Sequence, residues 1–331
     1  MINPSSKLAD NLLDKNNIQM IPTRDGYGKG LVEAAEKDER IVVLTADLTE
    51  STRAHWFAEK FPLRFIQVGV AEQNLALVAS GLAAAGKIPF ISSYATFSPG
   101  RNNEQIRTNI CLNNQPVKIA GAHAGISVGP DGATHQALED IALMRVIPRM
   151  VVVVPCDAFE AQKATVAGAF NGQPTYLRFG REKSPVFTTH NTPFEIGKAE
   201  VFRDGKDATI IGCGMLIYNA LVAAEELSEE EGIECAVINS HTIKPLDEKT
   251  IVQATERTGA VVTIEEHQIH GGLGSAVAEL LVKNHPVPQE FIGIDDRFGE
   301  SGEPQELIKA FGLDVPSIKA AVERVIARKQ R

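Results

Sequence analysis

Short apolar runs alternate with helix-length stretches of three- and four-residue periodicity along nearly the whole chain. That alternation limits the folds open to it. Strand-like runs at 41–44, 65–70, 88–92, 117–120, 150–154 and 175–179 are separated by helical patterns at 30–37, 56–61, 75–82, 103–112, 138–144 and 158–169. A run such as Met150-Val-Val-Val-Val154 shows no polar alternation, so it predicts a strand buried on both faces. Such strands, joined by helices, make crossover units and a parallel sheet. A polar segment with Pro185 and Pro193 interrupts the pattern, which resumes with strands at 208–212, 235–239, 261–265 and 291–294. The expected fold class is α/β, with two domains, each a mostly parallel sheet flanked by helices. The 331 residues are enough for two cores. The expected boundaries are a leader over 1–20, a first domain over 21–182, a linker over 183–195 and a second domain over 196–331.

Composition removes several function classes. A formal net charge of -9, with no long Lys/Arg run, argues against a nucleic-acid surface. The one basic cluster, Arg328, Lys329 and Arg331, reads as a solvated tail. Cys111, Cys156, Cys213 and Cys235 are far apart, with neither metal-site spacing nor the density of a disulfide framework. They read as buried thiols in a reducing compartment. Lys87 and Pro89 break the longest apolar segment, so no membrane span is expected. The N-terminus, with Asp10 and Asp14, lacks an apolar signal core, and a cytoplasmic location follows as the expectation.

The candidate chemistry gathers in a few stretches. Glu72 stands where the run 65–70 passes into a helical pattern built on Leu75, Val78, Ala79 and Leu82. One interpretation is a carboxylate favoured by the helix dipole. The other is a carboxyl held among Val68, Val70 and Leu75, placed to trade a proton with a cofactor ring nitrogen. The loop from Gly121 to Gln136 carries His123, Asp131 and His135 between a strand and a helix, at the sheet edge where α/β ligands bind. Its imidazoles are either surface groups or part of a site. Tyr94 and Phe97 are either core packing or a stacking platform. Arg178 and Arg181 are either surface charges or phosphate anchors. Two glycine patterns are decoys. Gly212-Cys-Gly214 lacks the third glycine of a dinucleotide fingerprint, where Ile217 stands. His270-Gly-Gly-Leu-Gly-Ser275 has no nucleophile elbow to serve and predicts a tight strand-to-helix turn.

Taken together, Gly69-Val-Ala-Glu72-Gln-Asn, Tyr94-Ala-Thr-Phe97, His123 through His135-Gln, and Pro155-Cys-Asp157 resemble the C-terminal half of transketolases. Ile264-Glu-Glu-His267 and the following glycine turn resemble that family's C-terminal domain. The resemblance runs in order over about 20–325. It implies that Glu72 hydrogen-bonds the pyrimidine ring of thiamine diphosphate, with Phe97 and Tyr94 as the aromatic stack. It implies that Asp47 helps hold the cofactor near the subunit contact. His123 and His135 match substrate-facing histidines, and Asp131 a carboxylate that reads a sugar hydroxyl. Arg24, Ser51, His123 and Arg181 match positions that hold a sugar phosphate.

Departures accompany the match. Gln73-Asn74 replaces the His-small pair usual in single-chain members, and Gly100 stands about where another aromatic is common. The Gly-Asp-Gly and Asn segment that binds Mg²⁺ and the diphosphate does not occur in the sequence. The chain therefore resembles the C-terminal subunit of a split transketolase, with an N-terminal subunit supplying Mg²⁺ and the diphosphate site in a heterotetramer. Related thiamine enzymes share much of this layout, among them 1-deoxyxylulose-5-phosphate synthases and the beta subunits of 2-oxoacid dehydrogenases. The synthases usually lack His at the position of His123, and the beta subunits lack the phosphate-anchoring set. A non-catalytic docking subunit would be expected to have lost Glu72 or Phe97, and both are present.

Overall fold

The computed structural model of the chain describes residues 1–14 and 16–329. The first half runs β1 (Met20–Pro22), α1 (Thr23–Lys37), β2 (Ile41–Thr45), α2 (His55–Lys60), β3 (Phe65–Gln67), α3 (Glu72–Ala84), β4 (Ile88–Tyr94) and α4 (Asn103–Gln105). It continues with β5 (Lys118–Ala122), α5 (Asp140–Arg145), β6 (Val151–Val153), α6 (Ala158–Phe170), β7 (Thr175–Arg178) and β8 (Lys183–Pro185). The second half runs β9 (Glu200–Arg203), β10 (Ala208–Gly212), α7 (Leu216–Glu231), β11 (Cys235–Asn239), β12 (Thr242–Lys244) and α8 (Glu248–Thr258). It closes with β13 (Val261–Gln268), α9 (Leu273–Asn284), β14 (Gln289–Ile294), α10 (Pro304–Ala310) and α11 (Val315–Lys329).

Two mostly parallel sheets result. The larger has strand order β12-β6-β7-β5-β4-β2-β3, and only β12 runs antiparallel to its neighbour. The smaller has order β14-β13-β10-β11-β9, with β9 antiparallel. The central strands β2, β5, β6, β7, β10 and β11 are buried at every residue, as strands covered on both faces must be. Strand β12 belongs by sequence to the second half but completes the edge of the first sheet. Three residues give too little pattern to foretell that partner.

Helix α1 begins at Thr23, seven residues before the start expected from periodicity. Gly26, Gly28 and Gly30 look like helix breakers, yet they are points of close approach. A Cβ at residue 26 would lie 2.0 Å from the Ala158 carbonyl oxygen, and one at residue 30 would lie 2.6 Å from Thr165 Cβ. Gly26 and Gly30 let α1 lie directly on α6, while Gly28 admits Trp56 of α2, 2.6 Å from where its Cβ would be. The strand expected over 65–70 ends at Gln67, because Gly69 takes φ +74 and turns the chain toward α3.

The segment expected as a leader is tied down. Asn3 N–H donates to the Phe202 carbonyl, Ala9 N–H to the Phe187 carbonyl, and Leu12 is buried in the core of the second domain. Strand β1 pairs antiparallel with β8, which lies inside the expected linker. Asp157 fixes the next linker residues, accepting from the backbone N–H groups of Phe187 and Thr188 and from the Thr188 hydroxyl. Arg328 and Lys329, expected in a solvated tail, end α11 instead. Arg328 pairs with Glu290, and Lys329 Nζ donates to the Thr258 carbonyl at 2.6 Å. Arg331 lies outside the described residues.

The second glycine motif is the expected turn from β13 into α9, and the structure supplies its cap. Glu265 accepts from the N–H groups of Leu273 (2.7 Å) and Gly274 (2.8 Å), the first amides of the helix. A carboxylate at a helix start satisfies orphan donors and the dipole together. All four cysteines are free and buried. Among the described residues, no helix is long and apolar enough to cross a membrane.

Candidate active site

Strand register in the larger sheet gathers the candidate residues at one edge. Thr45 lies beside Ser92, Tyr94 beside Ala122, and Gly121 beside Arg178. The segments that follow these strand ends carry Asp47, Phe97, His123 and Arg181. They meet at the carboxyl edge, where a parallel sheet leaves a crevice for ligands. Gly121 is required there. A Cβ on it would lie 2.2 Å from the Tyr176 hydroxyl, which passes by to donate to Asp140 at 2.6 Å. Asp140 also holds Arg178, whose guanidinium reaches the carbonyls of Ala137 (3.2 Å) and Glu266 (2.8 Å). Arg178 is therefore an internal brace between the loop and the second domain, while Arg181 is the arginine at the edge.

His123 leaves β5 in the left-handed region at φ +53, which aims its ring across the edge. The ring stacks on Tyr94 with centroids 4.0 Å apart, and Arg24 Nη1 donates to its Nε2 at 2.9 Å. Because arginine only donates, Nε2 is the acceptor and the imidazole proton sits on Nδ1. The same Nη1 donates to the Ser51 carbonyl at 3.0 Å. Burial, with the Arg24 and Arg181 charges nearby, pushes His123 down to about 3, so the ring is neutral at physiological pH.

Phe97 lies near-parallel to Tyr94 at 6.1 Å, and His135 meets Phe97 edge-on at 5.4 Å. His135 Nδ1 is 2.9 Å from the Thr134 hydroxyl. Arg181 Nη1 donates to the Val128 carbonyl at 2.8 Å and stands 3.6 Å from Asp131 Oδ1. Glu72 opens α3 and is 2% exposed. Val70 does not shield it, being 70% exposed. Its carboxylate meets Arg101, whose Nη1 is 3.3 Å from Oε2. Asn102 adds a bond from Nδ2 to the Glu72 backbone carbonyl at 3.0 Å.

The structure thus draws Arg24, Ser51, Tyr94, Phe97, His123 and His135 into one cluster, with Arg181 and Asp131 paired beside it. Asp47 stands apart. It is exposed at φ +60, its N–H donates to Gln67 Oε1 at 2.9 Å, and its carboxylate has no partner among the described residues. Sequence patterning missed two arginines. Arg53, bound to Asp25 at 2.6 Å, adds positive charge near Arg24 and His123. Arg101 follows Phe97 by four residues, a spacing that puts two side chains together on a helical turn; that was the available signal.

Family models match both halves of the chain. Residues 19–186 match the pyrimidine binding domain of transketolase, and residues 197–318 match the transketolase C-terminal domain. The putative transketolase C-terminal section of Methanocaldococcus jannaschii is 45% identical over 298 residues, which is 89% of this chain and 93% of that protein. The 6-deoxy-6-sulfo-D-fructose transketolase subunit SqwH of Clostridium sp. (strain MSTE9) is 41% identical, over 92% of this chain and 95% of that one. A solved structure of a split gene transketolase, an inactive beta4 tetramer, superposes with TM-score 0.88 at 46% identity, covering 93% of this chain and 99% of that chain.

The fold is that of an α/β subunit with a pyrimidine-binding domain first and an α/β C-terminal domain after it. The chain belongs to the transketolase family, among its split C-terminal sections.

Proposed function

We propose that the chain is the C-terminal subunit of a two-chain transketolase that moves a two-carbon ketol unit from a ketose phosphate to an aldose phosphate. The observation that supports this best is Glu72. It is a carboxylate held inside the protein at a helix start, with an aromatic ring close by and an arginine–histidine pair at the same sheet edge.

The residues suit the pyrimidine end of thiamine diphosphate. A buried acid and an aromatic face are what a flat nitrogen heterocycle needs. In addition, Thr96 Oγ1 and Arg24 Nε are buried without a hydrogen-bond partner among the described residues. Buried polar atoms are nearly always paired, so such atoms at a crevice point to a bound polar molecule. When bound, the cofactor supplies the electron sink for breaking and making the carbon–carbon bond.

The chain's own residues orient that chemistry. Glu72 holds a proton against a pyrimidine nitrogen, and Phe97 with Tyr94 gives the ring its stacking surface. Asp47, exposed on its loop, meets the cofactor near the contact between chains. Arg24, Ser51 and Arg181 take the substrate's terminal anion, where the guanidinium fork matches a phosphate. His123, neutral and fixed by Arg24, and His135 face the reacting end. Asp131 accepts from a sugar hydroxyl. A relative named for a sulfo-sugar fits the same logic, since a sulfonate is also a terminal anion.

The partner is an N-terminal subunit that carries Mg²⁺ and the diphosphate site, assembled with this chain as a heterotetramer. Support comes from relatives described as a C-terminal section and as a subunit, which this chain spans almost end to end. The test mixes this chain with a candidate partner, thiamine diphosphate and Mg²⁺, and follows transfer from xylulose 5-phosphate to ribose 5-phosphate. Transfer is expected only with both chains present. Full transfer by this chain alone would refute the two-chain assignment.

A further inference from the structure

Arg101 touches both groups that the proposed function assigns to the cofactor's ring. Its Nη1 is 3.3 Å from Glu72 Oε2, and its guanidinium carbon is 5.3 Å from the centroid of the Phe97 ring. No other side chain bonds the Glu72 carboxylate among the described residues. The two partners differ sharply in burial. The Glu72 side chain is 2% exposed, while that of Arg101 is 56% exposed. The acid is thus interior, and its counter-ion reaches in from the surface.

A guanidinium is a planar cation with N–H donors along one edge. It can lie against an aromatic ring and donate to a carboxylate at the same time. In the proposed function an aminopyrimidine would make the same two contacts, a ring face on Phe97 and a ring-nitrogen hydrogen bond with Glu72. The acid needs such a partner when the ring is missing, because an unpaired carboxylate in the interior is costly. Release of Arg101 is cheap by comparison, since its side chain is already more than half exposed. The backbone beneath it is fixed. Asn102 is fully buried and bonds both the Glu72 carbonyl (3.0 Å) and the Ser98 hydroxyl (3.1 Å). Only the Arg101 side chain has to move.

We propose that Arg101 is a placeholder for the cofactor's pyrimidine. In the subunit without cofactor it caps Glu72 and lies against Phe97, and it swings outward when the ring enters. This rests on the pyrimidine-binding role proposed for Glu72. The ring then competes with an internal ligand, and its apparent affinity falls by the fraction of chains in which Arg101 is docked.

The test titrates 4-amino-5-hydroxymethyl-2-methylpyrimidine, the free pyrimidine half of the cofactor, into the purified full chain. Binding is read by calorimetry and by the probe's NMR line width, independently of turnover. Arg101→Ala is expected to bind about three- to ten-fold more tightly than wild type, with Arg101→Lys in between. Glu72→Gln is expected to bind more weakly, and adding Arg101→Ala to it should bring no gain. Equal or weaker binding by Arg101→Ala, including no binding by either form, overturns the placeholder role. So does an undiminished gain on the Glu72→Gln background, which would put the effect of Arg101 elsewhere. If Glu72→Gln binds the probe as wild type does, the parent assignment of Glu72 fails and takes this one with it. Circular dichroism of each variant confirms folding.

Discussion

Arg24 Nη1 lies 2.9 Å from Nε2 of His123, so the histidine faces a permanent cation and accepts its hydrogen bond. The imidazole is held neutral in the fold, with a value near 3 against an ordinary 6.5. The unfolded chain therefore takes up the proton first as pH falls. Its neutral state favours the fold fully above pH 6.5, and that contribution is lost progressively from 6.5 down toward 3. His241, also pushed down to about 3 by burial, adds in the same direction. His123→Gln should accordingly show a shallower fall in thermal midpoint between pH 7 and pH 4 than wild type. Parallel profiles would contradict the neutral, buried state of His123.

Glu72→Gln keeps the size and burial of the side chain but cannot pass a proton to and from a ring nitrogen. Turnover by the mixed chains should drop at least about 10²-fold, the scale of a lost general acid–base group. Assembly, followed by light scattering, should be unchanged. Near-normal turnover in this variant would remove Glu72 from the chemistry.

Arg181→Ala takes away the guanidinium next to Asp131. For a phosphorylated substrate, kcat/KM should fall by about 10- to 100-fold, as expected for a charge-assisted hydrogen bond of about 1.5–3 kcal/mol. The matching free sugar should lose much less. Equal losses on both would place Arg181 in loop support, through its 2.8 Å bond to the Val128 carbonyl, and not in phosphate binding.

Two glycines in helices should respond oppositely to alanine. Gly26→Ala drives a methyl into the Ala158 carbonyl, and overpacking of this kind costs about 1–3 kcal/mol. Gly81, in α3, has no atom within 4 Å of an added Cβ. There Gly81→Ala should stabilise the isolated chain by about 0.5–1 kcal/mol through helix propensity and unfolded-state entropy. Urea midpoints at equal slope would measure both, and a neutral Gly26→Ala would show that α1 and α6 can part without cost.

Much of the first sheet was legible because its strands are unbroken apolar runs separated by helices of ordinary length. The edge loop was legible because His123, Asp131 and His135 crowd one glycine-rich stretch. Other features were hidden for physical reasons. The start of α1 was masked by glycines that make room for α6 and for Trp56 of α2, since propensity carries no knowledge of a neighbour. The order of residues 1–14 depends on Phe187 and Phe202, nearly two hundred residues away. Glu72 was expected among Val68, Val70 and Leu75; Leu75 is buried, but the turn at Gly69 leaves Val70 exposed, and the carboxylate meets Arg101 instead. Arg178 and Arg181, three residues apart, were equal candidates by residue type, and only the family resemblance singled out Arg181. The pairing of Arg178 with Asp140 shows the physical reason, separating the brace from the edge.

Strand β12 leaves its own half of the chain to hydrogen-bond with β6 along Val152 and Val153. A protein cut after residue 195 would bare the valine-rich rim of β6, inviting intermolecular strand addition. The two halves are therefore joined by more than the chain between them, since a ribbon lent by the second closes an edge of the first.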